Sequence, residues 1–169
     1  TGGFLLITDA QGVQNLFTSL RLYFETFEFN AGLYYVLRWI GFEWKGYNLI
    51  ALWGKWLGRL ALVLILMLAW WERRRDWRSL PAVWIAALTV YLLLATIVHP
   101  WYWLPVVALA PLTQLSFPWI TSGAVVLSYY AYSQPGFAEN PWLLGLEYLA
   151  IGGALVYDLR RFKNLFPGG

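Results

Sequence analysis

Residues Ser79–Tyr102 read SLPAVWIAALTVYLLLATIVHPWY, an apolar run that carries the only histidine of the chain, His99, near its far end. No charged side chain occurs between Ser79 and His99. About 20 apolar residues suffice to cross a hydrocarbon layer roughly 30 Å thick. The run therefore predicts a membrane-spanning helix that ends at an aromatic corner.

The composition of the chain also indicates a membrane protein. Hydrophobic residues make up 60% of the 169 residues and charged residues only 12%, whereas soluble domains average about 25% charged residues. The length suffices for one helical bundle of four to five spans, so we predict a single all-α, polytopic membrane domain over residues 1–169. The absence of cysteine excludes disulfides and thiolate metal sites, and no other metal-binding spacing occurs.

The pattern of apolar runs divides the chain into an interfacial part and five candidate spans. Residues 1–46 form the interfacial, extracytoplasmic part, because the aromatic stretch Phe27–Gly41 is short and interrupted by polar residues. Prolines break the later spans, and the region 103–132 either crosses twice or is re-entrant. The candidate spans are residues 47–71, 79–98, 103–115, 118–132 and 141–159.

The distribution of basic residues predicts the orientation in the membrane. The loops 72–78 and 160–163 are strongly basic and fall on the same side, which the positive-inside rule places in the cytoplasm. The His99 corner then lies on the extracytoplasmic side. The net charge of +3 is concentrated beside the spans instead of along a basic stripe, so no nucleic-acid partner is predicted.

Three groups of polar residues are candidates for binding or chemistry. His99 at the membrane surface could contact a phosphate or transfer a proton, or simply cap the helix within an aromatic belt. Lys55 and Arg59 share one helical face and could bind a lipid phosphate, or extend to the headgroups. Glu28 and Asn30 could contact sugar hydroxyls, or form a solvated helix start.

Two acidic residues fall in the last candidate span. An intramembrane carboxyl such as Glu147 is a functional candidate, and a structural role is equally compatible with the sequence. Asp158 lies at the cytoplasmic end of the span and is expected to pair with Arg160 or Arg161.

Several short motifs together resemble a known family. They are YFETFEFN at 23–30, Tyr34-Tyr35, Arg38, GYN at 46–48, VHPWY at 98–102, LSYY at 127–130 and Glu147-Tyr148. This pattern resembles the C-terminal half of bacterial GT-C superfamily membrane proteins, the polyprenyl-phosphate-dependent mannosyltransferase-like proteins. The resemblance runs over nearly the whole chain, and the HPWY corner is its most recognisable element.

The resemblance implies mannosyl transfer from a polyprenyl-phosphate sugar on the extracytoplasmic side of the bacterial inner membrane. The polyprenyl-phosphate-linked sugar would be the donor substrate, with no cofactor, and the partners would be membrane lipids and polyprenyl phosphate. We expect His99, Lys55, Arg59 and Tyr102 to contact the phosphate. We expect Glu28, Asn30 and Arg38 to contact the sugar.

The chain departs from that family in one respect. GT-C enzymes carry their catalytic carboxylate in the first extracytoplasmic loop, which has no counterpart here, and Glu25 and Glu28 do not match its position. We therefore expect residues 1–169 to be inactive alone and to belong to a longer chain if the protein is an enzyme. Two alternatives stay open, an accessory subunit of a respiratory or photosynthetic membrane complex and a component of a transporter.

Overall fold

The structure is a computed structural model that describes residues 10–72, 77 and 79–165. Within these residues the chain is all-helical, with seven α-helices and no strand beyond one isolated bridge between Phe29 and Ile97. The helices are α1 Ala10–Thr26, α2 Gly32–Lys45, α3 Ile50–Trp71, α4 Leu80–Leu94, α5 Leu104–Leu109, α6 Phe117–Ala124 and α7 Pro141–Leu165. The all-α prediction is confirmed for this part of the chain.

Two helical segments in the described residues are long and apolar enough to cross a membrane, α3 and the segment Pro141–Arg161 of α7. Only 11% of the most apolar stretch of α3 is buried, and its exposed side chains include Leu62, Leu66 and Trp70. Water is a poor surrounding for so large an apolar face. The length, composition and exposure of α3 therefore favour a membrane protein.

Two helices of spanning length are fewer than the four to five that the sequence predicted. The predicted span 79–98 contains only α4, because the backbone becomes extended at Ala95. Fifteen helical residues rise about 22 Å, which is short of a hydrocarbon layer of roughly 30 Å. After this point the backbone bonds to Phe29 instead of continuing the helix. The carbonyl of Thr96 accepts the N–H of Phe29 at 3.1 Å, and the N–H of Val98 donates to the carbonyl of Phe29 at 2.8 Å.

The region between the His99 corner and α7 consists of short helical pieces. The predicted span 103–115 contains α5 and a 3₁₀ turn at Ala110–Leu112, and the predicted span 118–132 contains α6 and a 3₁₀ helix at Val125–Ser133. Proline is tolerated at the start of a helix because the N–H that it lacks would have no helical partner there. Prolines occupy such starting positions at residues 100, 105, 111 and 118.

Two helices precede the first spanning helix. Helix α2 lies where the interfacial helix Phe27–Gly41 was predicted, but it starts at Gly32 and ends at Lys45. Gly46 follows in the left-handed conformation, with φ of 76°. Helix α1 contacts α3 and lies where the sequence predicted no sustained span. The basic residues at 73–75 and 78, residues 1–9 and the side chains of Glu25 and residues 162–163 lie outside the description, so the orientation stays a prediction.

The apolar core lies mainly among α4, α5, α6 and α7. It is centred on Trp103 and Phe117 and is continued by Ile85, Leu92, Val106 and Ile151. A second cluster joins α2, α3 and α4 through Tyr34, Leu57, Ala61 and Leu94. Helices α3 and α4 form one packed pair and α6 and α7 form another, so the His99 corner lies in the connection between the two pairs.

Asp158 ties the second helix pair together. Its Oδ2 atom accepts the backbone N–H groups of Ser116 and Phe117, at 2.7 and 2.8 Å, and the side chain is buried. These groups lie at the start of α6, where backbone N–H donors have no partner within the helix. The expectation that Asp158 pairs with Arg160 or Arg161 is wrong, because one carboxyl oxygen caps the start of α6 and the other, Oδ1, has no hydrogen-bond partner among the described residues.

We predict that Asp158→Ala lowers the free energy of unfolding by about 1 to 3 kcal/mol, because two buried N–H groups lose a charged acceptor. Arg161→Gln is the matched control and should leave stability nearly unchanged. Thermal unfolding of the detergent-solubilised protein, followed by circular dichroism, measures both effects. Equal destabilisation by the two variants would indicate that Asp158 acts through an ion pair instead.

Candidate functional site

The segment 27–31 between α1 and α2 connects the N-terminal part of the chain to the His99 corner. The N–H of Phe29 donates to the carbonyl of Thr96, and the N–H of Val98 donates to the carbonyl of Phe29. The ring of Phe29 is fully buried and lies 5.0 Å from the ring of His99. Phe29 therefore contacts the His99 corner both through backbone hydrogen bonds and through its ring.

Asn30 is the most highly bonded residue of this segment, and it is fully buried, with 0% exposure. Its N–H donates to Oε1 of Glu139 at 2.7 Å, and its Nδ2 donates to Oε1 of Glu147 at 2.7 Å. Its carbonyl accepts the hydroxyl of Tyr148 at 2.6 Å. The backbone has a positive φ of 46°, which asparagine adopts more readily than most residues. Asn30 thus joins the N-terminal segment to both ends of the 139–148 region.

Glu139 connects Asn30 to helix α2. Its Oε2 atom accepts the hydroxyl of Tyr35 in a short hydrogen bond. Burial raises the pKa of the Tyr35 hydroxyl, so Tyr35 stays protonated and acts as a donor. Burial also raises the pKa of Glu139 above its ordinary value of 4.5, although the hydrogen bonds from Tyr35 and Asn30 act in the opposite direction. Both oxygens of this carboxyl are consequently used to hold the linker before α7 in place.

A second polar group extends from the same segment toward the start of α3. Glu28 forms an ion pair with Arg38, and its other oxygen accepts Nδ2 of Asn48 at 3.3 Å. Asn48 in turn accepts the Tyr34 hydroxyl at 2.6 Å. The predicted sugar-contact residues Glu28 and Arg38 are therefore brought together, while Asn30 lies behind them in the interior.

His99 lies in a cluster of aromatic rings at the end of the extended segment. Its Nδ1 atom shares a hydrogen bond of 2.8 Å with the hydroxyl of Tyr132. Its ring stacks on Trp101 with 4.5 Å between the centroids and packs edge-to-face on Tyr102 at 5.3 Å. Burial lowers the pKa of His99 from its ordinary value of 6.5, which favours the neutral imidazole at neutral pH.

A cleft of about 420 Å³ lies between α3 and the end of α4. Glycine at positions 54 and 58 leaves room beside α3, because no side chain projects there. Two of the predicted phosphate-contact residues, Lys55 and Tyr102, line this cleft. The remaining described residues in its wall are Ile50, Ala51, Ala61, Tyr91, Leu94, Ala95, Thr96 and Ile97.

The other two predicted phosphate-contact residues lie outside this wall. Arg59 is exposed on α3, with its guanidinium 5.0 Å from the centre of the Trp56 ring. His99 packs against the ring of Tyr102, which itself lines the cleft. The arrangement can hold an anionic group at Lys55 and an apolar chain along the small residues of α3.

Comparisons with protein-family models, curated proteins and solved structures find no match for this chain. The resemblance to GT-C proteins thus has only the short motifs behind it.

Sequence reasoning missed the part of the site that depends on tertiary contacts. Glu139 lies between the last two candidate spans and was not a candidate site residue, yet it bonds to Asn30, which is 109 residues away. Tyr132 and Asn48 were also not predicted as site residues. The sequence contained one indication of these contacts, because several hydrogen-bond partners of Asn30, Tyr34 and Glu28 belong to the motifs GYN at 46–48 and Glu147-Tyr148.

The raised pKa of Glu139 predicts a pH dependence of stability. Because the folded protein binds this proton more tightly than the unfolded chain does, stability falls as the pH rises above 4.5, until the folded pKa is passed. Glu139→Gln should make this fall shallower, while Glu43→Gln, at an exposed site, should not. Thermal unfolding over a pH series measures the slopes, and an unchanged slope in Glu139→Gln would contradict the assignment.

Proposed function

We propose that the chain is a membrane module of a GT-C-like glycosyltransferase and that the cleft between α3 and α4 binds the polyprenyl-phosphate carrier. The observation that supports this proposal is Lys55, a cation that lines a cleft whose wall is mostly apolar. A polyprenyl phosphate has the matching chemistry, an anionic head on a long apolar chain. The transferred sugar would be mannose, and the reaction would take place on the extracytoplasmic side.

In this proposal the carrier lies along α3. Lys55 contacts the phosphate as a point charge, and the hydroxyl of Tyr102 donates a hydrogen bond to the phosphate. The isoprenoid chain follows Gly58 and Ala61 toward Tyr91. From Ile50 to Ala61 the helix rises about 16 Å, which accommodates several isoprene units.

His99 would act on the phosphate site indirectly. The edge-to-face contact with His99 fixes the ring of Tyr102, and the bond to Tyr132 fixes the imidazole. A neutral imidazole can act both as donor and as acceptor, so it can support a phosphate site without adding a charge. Arg59 would contact the carrier only after its guanidinium leaves the ring of Trp56.

Catalysis in such an enzyme is direct displacement at the anomeric carbon of the sugar. Positive groups such as Lys55 stabilise the charge that develops on the leaving phosphate. A carboxylate that activates the acceptor hydroxyl is also needed, and no residue of this chain is assigned to that role. The ion pair of Glu28 and Arg38 would serve the sugar side of the site.

The membrane placement completes the proposal. The protein would lie in the bacterial inner membrane, with residues 72–78 and the basic end of α7 at 160–163, which is helical and not a loop, in the cytoplasm and the His99 corner outside. Four to five segments would cross or enter the membrane. Helices α3 and α7 would cross fully, α4 would cross together with the extended residues 95–98, and the broken pieces 104–112 and 117–133 would be embedded between them.

An accessory subunit of a larger membrane complex is the second candidate. The observation that favours it is the exposed apolar surface of α3 and α7, whose exposed side chains include Trp70, Trp71, Trp142 and Leu149. Helices of partner subunits could cover these faces as well as lipid does. In that case Lys55 would contact headgroups or a partner and would bind no carrier.

We predict that Lys55→Gln weakens binding of farnesyl phosphate about tenfold, equivalent to about 1.4 kcal/mol, because the phosphate loses its cation. Binding of farnesol, which has no phosphate, should stay unchanged. Lys45→Gln is the matched control, since Lys45 lies over the ring of Trp44 outside the cleft. Titration of radiolabelled ligand into the detergent-solubilised protein measures all affinities.

Equal affinities of the wild type and Lys55→Gln for farnesyl phosphate would contradict the carrier site. Absence of binding, together with stoichiometric partner subunits in the natively purified protein, would favour the accessory subunit. A loss in Lys45→Gln as large as that in Lys55→Gln would show that the phosphate is attracted by overall charge and not by the cleft.

A further inference from the structure

The buried pair of Asn30 and Glu147 has two side-chain oxygens that lack a hydrogen-bond partner among the described residues. Both side chains are 0% exposed, and they are joined by one hydrogen bond, from Nδ2 of Asn30 to Oε1 of Glu147. Among the described residues, the remaining oxygen of each group, Oδ1 of Asn30 and Oε2 of Glu147, has no partner with the geometry of a hydrogen bond, although the backbone N–H of Ser128 also acts on the Glu147 carboxyl. Native proteins rarely leave buried polar atoms unsatisfied.

Two unsatisfied oxygens on one hydrogen-bonded pair have a simple chemical explanation. A primary amide and a neutral carboxylic acid form a ring of two hydrogen bonds, in which the amide N–H donates to the acid carbonyl and the acid O–H donates to the amide oxygen. An ionised carboxylate has no proton for the second bond. Reversing the amide does not remove the need, because one amide oxygen would then face a carboxylate oxygen.

We propose that Glu147 binds one proton and forms a cyclic acid–amide pair with Asn30, so that this contact is a proton-binding site within the last membrane-spanning helix. The proton satisfies both unpartnered oxygens with one additional hydrogen bond. It also removes a charge from the spanning segment Pro141–Arg161, where an unpaired charge is costly.

The surrounding charges agree with a neutral Glu147. Among the described residues no lysine, arginine or histidine forms an ion pair with it, and Arg38 is already paired with Glu28. Glu139, whose N–H donor is also Asn30, adds a like charge on the same side. The titratable and charged groups around the pair are Glu139 from the linker, Tyr148 from α7, Tyr35 and Arg38 from α2, and Glu28 from the segment before α2.

The protonation state of Glu147 thereby determines how strongly Asn30, and with it the segment 27–31, is hydrogen-bonded to α7. While the proton is bound, Asn30 is held by two side-chain hydrogen bonds to α7 in addition to its backbone bonds. Loss of the proton leaves a buried charge beside the amide oxygen and weakens the joint. The proposal does not depend on the carrier site, because none of these residues lines the cleft between α3 and α4.

Infrared spectroscopy of the full chain in detergent tests the proposal directly, since a protonated carboxyl has its own carbonyl stretching band. At neutral pH we expect the band of one carboxyl out of the nine side-chain carboxyls of the chain. Labelling with ¹³C-glutamate should shift this band, and labelling with ¹³C-aspartate should not, which separates Glu147 from the buried Asp158 without any mutation.

Substitution then assigns the band to one residue. Glu147→Gln should remove the band and keep the helical circular dichroism, because a glutamine amide can form the same two-bond ring with Asn30. Glu43→Gln, at an exposed site, should leave the band in place. A spectrum without the band, a band that ¹³C-glutamate does not shift, or a band that persists in Glu147→Gln would overturn the proposal. A carboxylate that binds a sodium ion would likewise give no band.

Discussion

The hydrogen bonds of Asn30 join three parts of the chain that are far apart in sequence. The residue donates to Glu139 and Glu147 and accepts from Tyr148, so the segment 27–31, the linker before α7 and the last helix meet at one buried residue. The positive φ of Asn30 turns the chain so that Phe29 can pair with Ile97 on the preceding side. Asn30 is thus the residue at which these three parts are hydrogen-bonded to one another.

The segment 27–31 also positions the residues of the candidate sites. Phe29 forms backbone hydrogen bonds with the extended residues after α4. These residues lead directly to His99 in its aromatic cluster and to Tyr102 in the cleft. The same segment contains Glu28, which forms an ion pair with Arg38 of α2. The segment 27–31 therefore contacts the residues that lead to Tyr102 and also carries one partner of the Glu28–Arg38 ion pair, so the proposed phosphate and sugar sites depend on the same short segment.

The sequence predicted well those features that depend on local runs of residues. The long apolar stretches correspond to α3 and α7, and prolines mark the starts of the short helices. The predicted span 79–98 was too long, because its last residues are held extended by Phe29, a contact that no local pattern reveals. Lys55 and Tyr102 were both candidates, but only the packing of α3 against α4 brings them together. Glu139 and the capping role of Asp158 depend wholly on tertiary contacts.

Hydrogen–deuterium exchange on Asn30→Gly tests the role of Asn30 most directly. Glycine accepts the positive φ, so this variant removes only the side chain and its bond to Glu147. We predict faster exchange in both segments, at Phe29 and at Val98, because their amides belong to the structure that Asn30 holds. Asn15→Ala, on the exposed part of α1, should affect only its own helix. Unchanged exchange at Val98 in Asn30→Gly would contradict the claim that Asn30 holds the His99 corner in place.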